Sequence, residues 1–173
     1  MAADLILKVS TIITMNRSSA RAEAVAIDTA AGTIVAVGDL QECRSAAPSA
    51  TVRDLGATVL MPGFIDPHSQ AMVTRQTASG RVHAANQAVT LDEAIRAHTI
   101  NAAFQIGRDH DLGSIEAGKC ADFVELSADP FTADVHRLTD AVQVQGTSAR
   151  TADNARGTDG VKRPALHQPV SAA

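Results

Sequence analysis

The sequence predicts a mainly β chain with one helix, an α+β class, on three observations. Short β-branched runs crowd residues before 61. A capping pattern followed by apolar residues at helical spacing begins at Thr90. A second group of strand signals follows between Ala121 and Gln145. Leu5-Ile6-Leu7-Lys8-Val9 and Thr11-Ile12-Ile13-Thr14-Met15 are strand-like runs separated by Ser10. Ala24–Asp28 and Thr33–Gly38 flank a turn at Ala31-Gly32 and read as a hairpin. Asp39 suits the cap of a short helix over Leu40–Arg44. Thr51–Leu55 and Thr58–Met61, on either side of Gly56-Ala57, read as a second hairpin. The expectation for this whole segment is antiparallel β.

Residues 71–89 are polar without a period and read as a loop. Thr90-Leu91-Asp92-Glu93 then has the form of a capping box, with Leu91, Ile95, His98 and Ala102 at helical spacing and Gly107 as the stop. Ala121–Leu126 is a buried-type strand, Asp129-Pro130 a turn, and Asp140–Gln145 a last short strand. From Thr147 the composition turns to Ser, Thr, Ala, Arg, Asp, Gly and Pro, so 147–173 is expected to be a disordered tail.

At 173 residues the chain suits one ordinary domain. With 45% hydrophobic residues, four Phe and no Trp or Tyr, its core must rest on Ala, Val, Ile and Leu. A net charge of −4 and the lack of a basic run with interleaved aromatics argue against nucleic-acid binding. No stretch approaches about 18 uninterrupted apolar residues, which argues against a membrane helix. Cys43 and Cys120 stand far apart without metal-type spacing, and Met1-Ala2-Ala3-Asp4 lacks a basic leader; both point to a cytoplasmic protein with reduced thiols.

The chemistry-bearing stretch is Val59-Leu60-Met61-Pro62-Gly63-Phe64-Ile65-Asp66-Pro67-His68-Ser69-Gln70. It resembles the entrance to the barrel of metal-dependent amidohydrolases, where an apolar strand and a Pro-Gly turn lead into a His-x-His metal pair. Here Gln70 replaces the second imidazole. Ala94–Ala103 and Leu112–Val124 resemble the other end of that family, its last helix and closing strand, and the closest flavour is the branch known as amidohydrolase 3. Val73-Thr74-Arg75-Gln76 and Ser79-Gly80-Arg81-Val82 resemble the stretch that precedes that helix.

Only about 20 residues separate Gln70 from Thr90, whereas a (β/α)₈ barrel takes roughly 250. The resemblance therefore implies the two ends of an amidohydrolase joined across a missing middle. It implies residues 1–69 as half of a small β-sandwich plus the remnant of a first barrel strand, 70–89 as the junction, and 90–146 as the last helix with the other half. Val25, Ile27, Ile34, Val35, Val37, Val124 and Leu126 would fill the space between two sheets. Such a chain is a β-sandwich with a packed helix and no complete barrel.

The resemblance also implies zinc or another divalent metal in complete members. Carried over by position, only His68 remains as a metal ligand, and one imidazole falls short of the three protein ligands that a hydrolytic zinc needs. No cofactor is therefore expected in this chain. His83, His98, His110 and His136 lie outside the family's ligand motifs. His98, on the face of Leu91 and Ile95, reads as a half-buried histidine bonded to backbone, and Asn101 as bonded to a neighbouring loop.

Gly113-Ser114-Ile115-Glu116-Ala117-Gly118-Lys119-Cys120 nearly matches a phosphate loop, but a helix precedes it, a strand follows it and Cys120 replaces the hydroxyl, so a tight glycine turn is expected. Lys119 beside Cys120 could lower its pKa, but a small thiol at the edge of the core is the commoner reading. Three functional readings remain. The first is a deleted amidohydrolase without catalysis of its own. That reading expects self-association through the surface the barrel once covered. The second is an interaction module that dimerises with a full-length relative, and the third a metal enzyme assembled from His68 and other histidines across an interface.

Overall fold

A computed structural model describes residues 2–63, 69–76, 81–135 and 144–148. Chain order is β1 (Leu5–Ile13), β2 (Arg21–Asp28), β3 (Thr33–Gly38), α1 (Leu40–Ala46), β4 (Thr51–Asp54), β5 (Val59–Pro62), α2 (Ser69–Thr74), a 3₁₀ turn (Ala85–Gln87), α3 (Leu91–Ala97), α4 (Ile100–Gln105), β6 (Phe123–Leu126) and β7 (Val144–Ser148). The class is mixed α and β, with four short α-helices among the described residues rather than the single helix expected. No (β/α)₈ barrel occurs among these elements.

The described strands join one seven-stranded sheet in the order β3-β2-β1-β5-β6-β7, with β4 also on β1. Two facing sheets were expected; one curled sheet is found. The curl is visible at its edge. The Ile34 N–H donates to the Lys119 carbonyl at 2.8 Å, and the Ile34 carbonyl accepts the Gly118 N–H at 2.8 Å. Thr33 thus bridges to Cys120, so β3 meets the segment that leads into β6.

Inside the curl lie Leu7, Val9, Ile12, Val25, Ile27, Ile34, Leu60, Ile115, Ala121 and Phe123, all buried. The outer face is covered in two places. Cys43 and Ala47 of the α1 region pack on Ile6, Ala24 and Ala26, while Ile95 of α3 packs with Val59, Met61, Val124 and Leu126. The expected core residues therefore divide between faces. Val25, Ile27 and Ile34 point inward, Val37 packs against them, Val35 packs toward α1, and Val124 and Leu126 pack toward α3. Period-2 alternation makes this division unavoidable in a sheet covered on both sides.

The hairpin of β2 and β3 forms as expected, antiparallel with Val25 opposite Val37. β1 runs unbroken through Ser10, but its register on β2 shifts between Lys8 and Ile12. Between those two pairs β1 takes four steps to two on β2, and across this irregularity Val9 and Ile12 share the interior although three positions apart. The Ser10 hydroxyl sits at the irregularity and donates to the Thr58 carbonyl at 2.8 Å.

The second expected hairpin does not form. β4 and β5 lie end to end along the same edge of β1, both parallel to it, with Leu5 opposite Thr51 and Ile12 opposite Leu60. Gly56-Ala57 is a step between two strands that share a neighbour, and the all-antiparallel expectation fails at this edge.

Both predicted caps are present. Asp39 accepts the Glu42 N–H at 2.7 Å while Glu42 accepts the Asp39 N–H at 2.9 Å. At α3 the Thr90 hydroxyl accepts the Glu93 N–H at 3.2 Å and Glu93 accepts the Thr90 N–H at 2.8 Å. The predicted helix breaks in two at His98-Thr99. The fully buried Thr99 returns its hydroxyl to the Ile95 carbonyl at 2.8 Å, and its backbone leaves helical values at φ −124° and ψ −98°. The stretch read as a loop holds α2 instead; six residues are too few to show a period. β7 extends to Ser148, one residue past the expected start of the tail, and pairs with β6. The remainder of that expected tail, 149–173, lies outside the described residues.

Candidate functional site

The two ends that resemble one family meet at the end of β5. β5 and β6 pair antiparallel, with Met61 opposite Val124 and Pro62 opposite Phe123. The Gly63 N–H donates to the Asp122 carbonyl at 3.1 Å. A Cβ at position 63 would stand 2.8 Å from both carboxylate oxygens of Asp122, so the Pro-Gly turn needs glycine to admit that side chain. Met61-Pro62-Gly63 and Ala121-Asp122-Phe123 are thus direct neighbours although some 60 residues apart in sequence.

Beyond Gly63 come Phe64 to His68. The expected metal ligand His68, with Asp66, lies outside the described residues, as does His136. Gln70 falls within α2. The same helix carries Met72, whose carbonyl accepts the Val89 N–H at 3.3 Å and whose Sδ lies 3.2 Å from Nε2 of His98. His98 is only 7% exposed, so burial exceeds the half expected, and its ring partner is a thioether rather than a backbone group. Nothing in residues 71–89 as a sequence pointed to Met72 as that partner. Asn101 stands exposed on α4 rather than tucked against a loop.

The other described histidines do not join His98. His83 is exposed, its N–H bonded to the Arg75 carbonyl at 2.9 Å. His110 is an exposed side chain whose Nε2 lies 3.8 Å from Asp111. Among the described residues no three of His, Cys, Asp and Glu converge as a metal would require. These residues do not fit the three-ligand site of a hydrolytic zinc.

The near-match to a phosphate loop is a turn, as its context predicts. Gly113 and Gly118 take φ of +84° and +90°. A Cβ on Gly113 would meet the Ile100 Cα at 2.7 Å, so this glycine lets the turn lie against α4. The amine of Lys119 does not face a cradle; it donates to the carbonyls of Asp109 at 2.5 Å and Leu112 at 3.3 Å. Glu116 is engaged by the Asn16 amide at 3.0 Å.

Sγ of the half-buried Cys120 lies 3.9 Å from an Asp111 carboxylate oxygen, so its polar neighbour is an acid. Arg108 pairs with that carboxylate and holds it below the ordinary range. Cys43 is fully buried against the sheet, and burial pushes its thiol up. A shallow groove of about 750 Å³ beside α1, lined by Glu23, Asp39, Gln41 and Arg44, contains none of the motif residues.

A family model described as the amidohydrolase family matches residues 69–151. An N-substituted formamide deformylase of Arthrobacter pascens is 48% identical over 58 residues, covering 34% of this chain and 11% of that protein. An imidazolonepropionase of Shouchella clausii is 58% identical over 40 residues, 23% of this chain and 9% of that protein. A solved structure of Helicobacter pylori aminofutalosine deaminase in complex with methylthio-coformycin is 20% identical over 58% of this chain and 23% of its own, with a TM-score of 0.31. The matched segments span about a tenth of the length of the two curated relatives. No helix among the described residues is long and apolar enough to cross a membrane. One end block is thus similar to the amidohydrolase family, and the other carries the Pro-Gly entrance beside it in space.

Proposed function

We propose that this chain is an internally deleted amidohydrolase that does not hydrolyse carbon–nitrogen bonds on its own. The supporting observation is the register of β5 on β6. The two end blocks hydrogen-bond to each other directly, with a junction between them far shorter than a barrel. Gln70 in place of the second histidine supports the same reading. Family activity, the metal-dependent hydrolysis of non-peptide C–N bonds, then describes the parent and not this chain. The protein is read as cytoplasmic, as its cysteine usage suggested.

The test is hydrolysis of formamides, ureas and cyclic imides by chain purified free of host hydrolases and supplied with zinc. No turnover above background is expected; turnover abolished by a chelator would overturn the reading. Phe104 at 71% and Ile106 at 58% exposure favour a second reading, association with another copy or with a full-length amidohydrolase. Sedimentation of the same preparation decides that point, and a strict monomer that captures no added amidohydrolase would contradict it.

A further inference from the structure

Met72 ties α2 to the rest of the molecule in two ways. Its carbonyl accepts the Val89 N–H, and its sulfur touches the buried ring of His98 at 3.2 Å. The Met72 side chain is partly exposed, whereas Met15 is 5% and Met61 0% exposed. A thioether within reach of solvent is the form of methionine that peroxides attack, and oxidation turns a soft apolar group into a polar, bulkier one.

We propose that Met72 is a redox-sensitive latch, in which a hydroperoxide oxidises its thioether and releases α2 from His98. The step transfers one oxygen atom. The O–O bond of the hydroperoxide breaks, an S–O bond forms, sulfur loses two electrons, and the peroxide leaves as water or an alcohol. An oxygen added on the side of sulfur that faces Nε2 does not fit within 3.2 Å, and on either side the sulfur becomes bulkier and more polar. In the proposed latch the contact then opens, and α2, a helix of six residues, has few internal hydrogen bonds to hold its place. A methionine sulfoxide reductase, drawing two electrons and two protons from thiols, returns the thioether, releases the oxygen as water and closes the latch again.

Hydrogen peroxide titration of the full chain tests this, read by peptide mass spectrometry and by hydrogen exchange. Met72 sulfoxide is expected to form about tenfold faster than that of Met15 or Met61, since susceptibility follows exposure. Exchange should rise in 69–74 and 90–98 while β1, β2 and β5 stay protected, and methionine sulfoxide reductase should restore it. A Met72→Leu variant should show no rise at those segments under peroxide. Oxidation of Met72 no faster than of Met61 would overturn the proposal. So would unchanged exchange after oxidation, or the same rise in Met72→Leu.

Discussion

Phe123 and Met72 mark two regions of unlike construction. Around Phe123 the sheet curls on itself, and side chains from five strands and the 115–121 segment enclose one interior. Around Met72 a six-residue helix meets His98 through a sulfur contact and Val89 through a backbone bond, with the Arg75 guanidinium reaching the His83 carbonyl and Gln87 at 3.4 Å. The first region is made cooperative by distributed burial, the second by a few contacts that can each be removed. The comparison contrasts two kinds of support: the two end blocks complete each other in the sheet, whereas α2 is tied through individual contacts at Met72 and the neighbouring Arg75.

The largest expected effect follows from emptying the interior. Phe123→Ala should cost about 3–5 kcal/mol, because a fully buried ring leaves a cavity that the curled sheet cannot close. Urea unfolding measures it, and a loss below about 1 kcal/mol would mean that the interior described here is not the core.

A smaller effect should come from the edge of the second region. Thr90→Ala removes the cap of α3 and should cost about 1 kcal/mol. Its pH dependence sharpens the comparison. The Thr90 N–H and hydroxyl hold the Glu93 carboxyl below its ordinary value of 4.5. A depressed folded-state value contributes stability above the unfolded-state value, and that stability is lost as pH falls through the folded one. The gap between wild type and Thr90→Ala should therefore narrow below about pH 4.5, and a gap that widens there would remove Glu93 from the cap.

What the sequence made legible was local. Gly32 between two β-branched runs announces the β2–β3 turn, and the Thr90–Glu93 and Asp39–Glu42 spacings announce two caps, because each depends on residues a few positions apart. What stayed hidden was pairing over distance. Thr51–Leu55 and Thr58–Met61 are strands by composition, but nothing in them says that both lie on β1 rather than on each other. The break at Thr99 arises from a side-chain return to the Ile95 carbonyl within a stretch of good helix spacing.

At the candidate site the sequence singled out Gly63 and the Ala121–Phe123 stretch, and their mutual contact required the fold. The burial of His98 was readable from its helix face. Its partner Met72 sits in a stretch without a period and so gave no signal.

The central claim is that the two end blocks form one sheet within a single chain. Backbone NOEs across β5 and β6 test it most directly, in a dilute, uniformly labelled sample. The account predicts contacts that place Val59–Pro62 antiparallel to Phe123–Leu126, with Met61 opposite Val124, alongside parallel contacts from β5 to β1. Slow amide exchange should accompany them. A sample in which β1–β3 is protected while Phe123–Leu126 exchanges freely and shows no contact to β5 would contradict it.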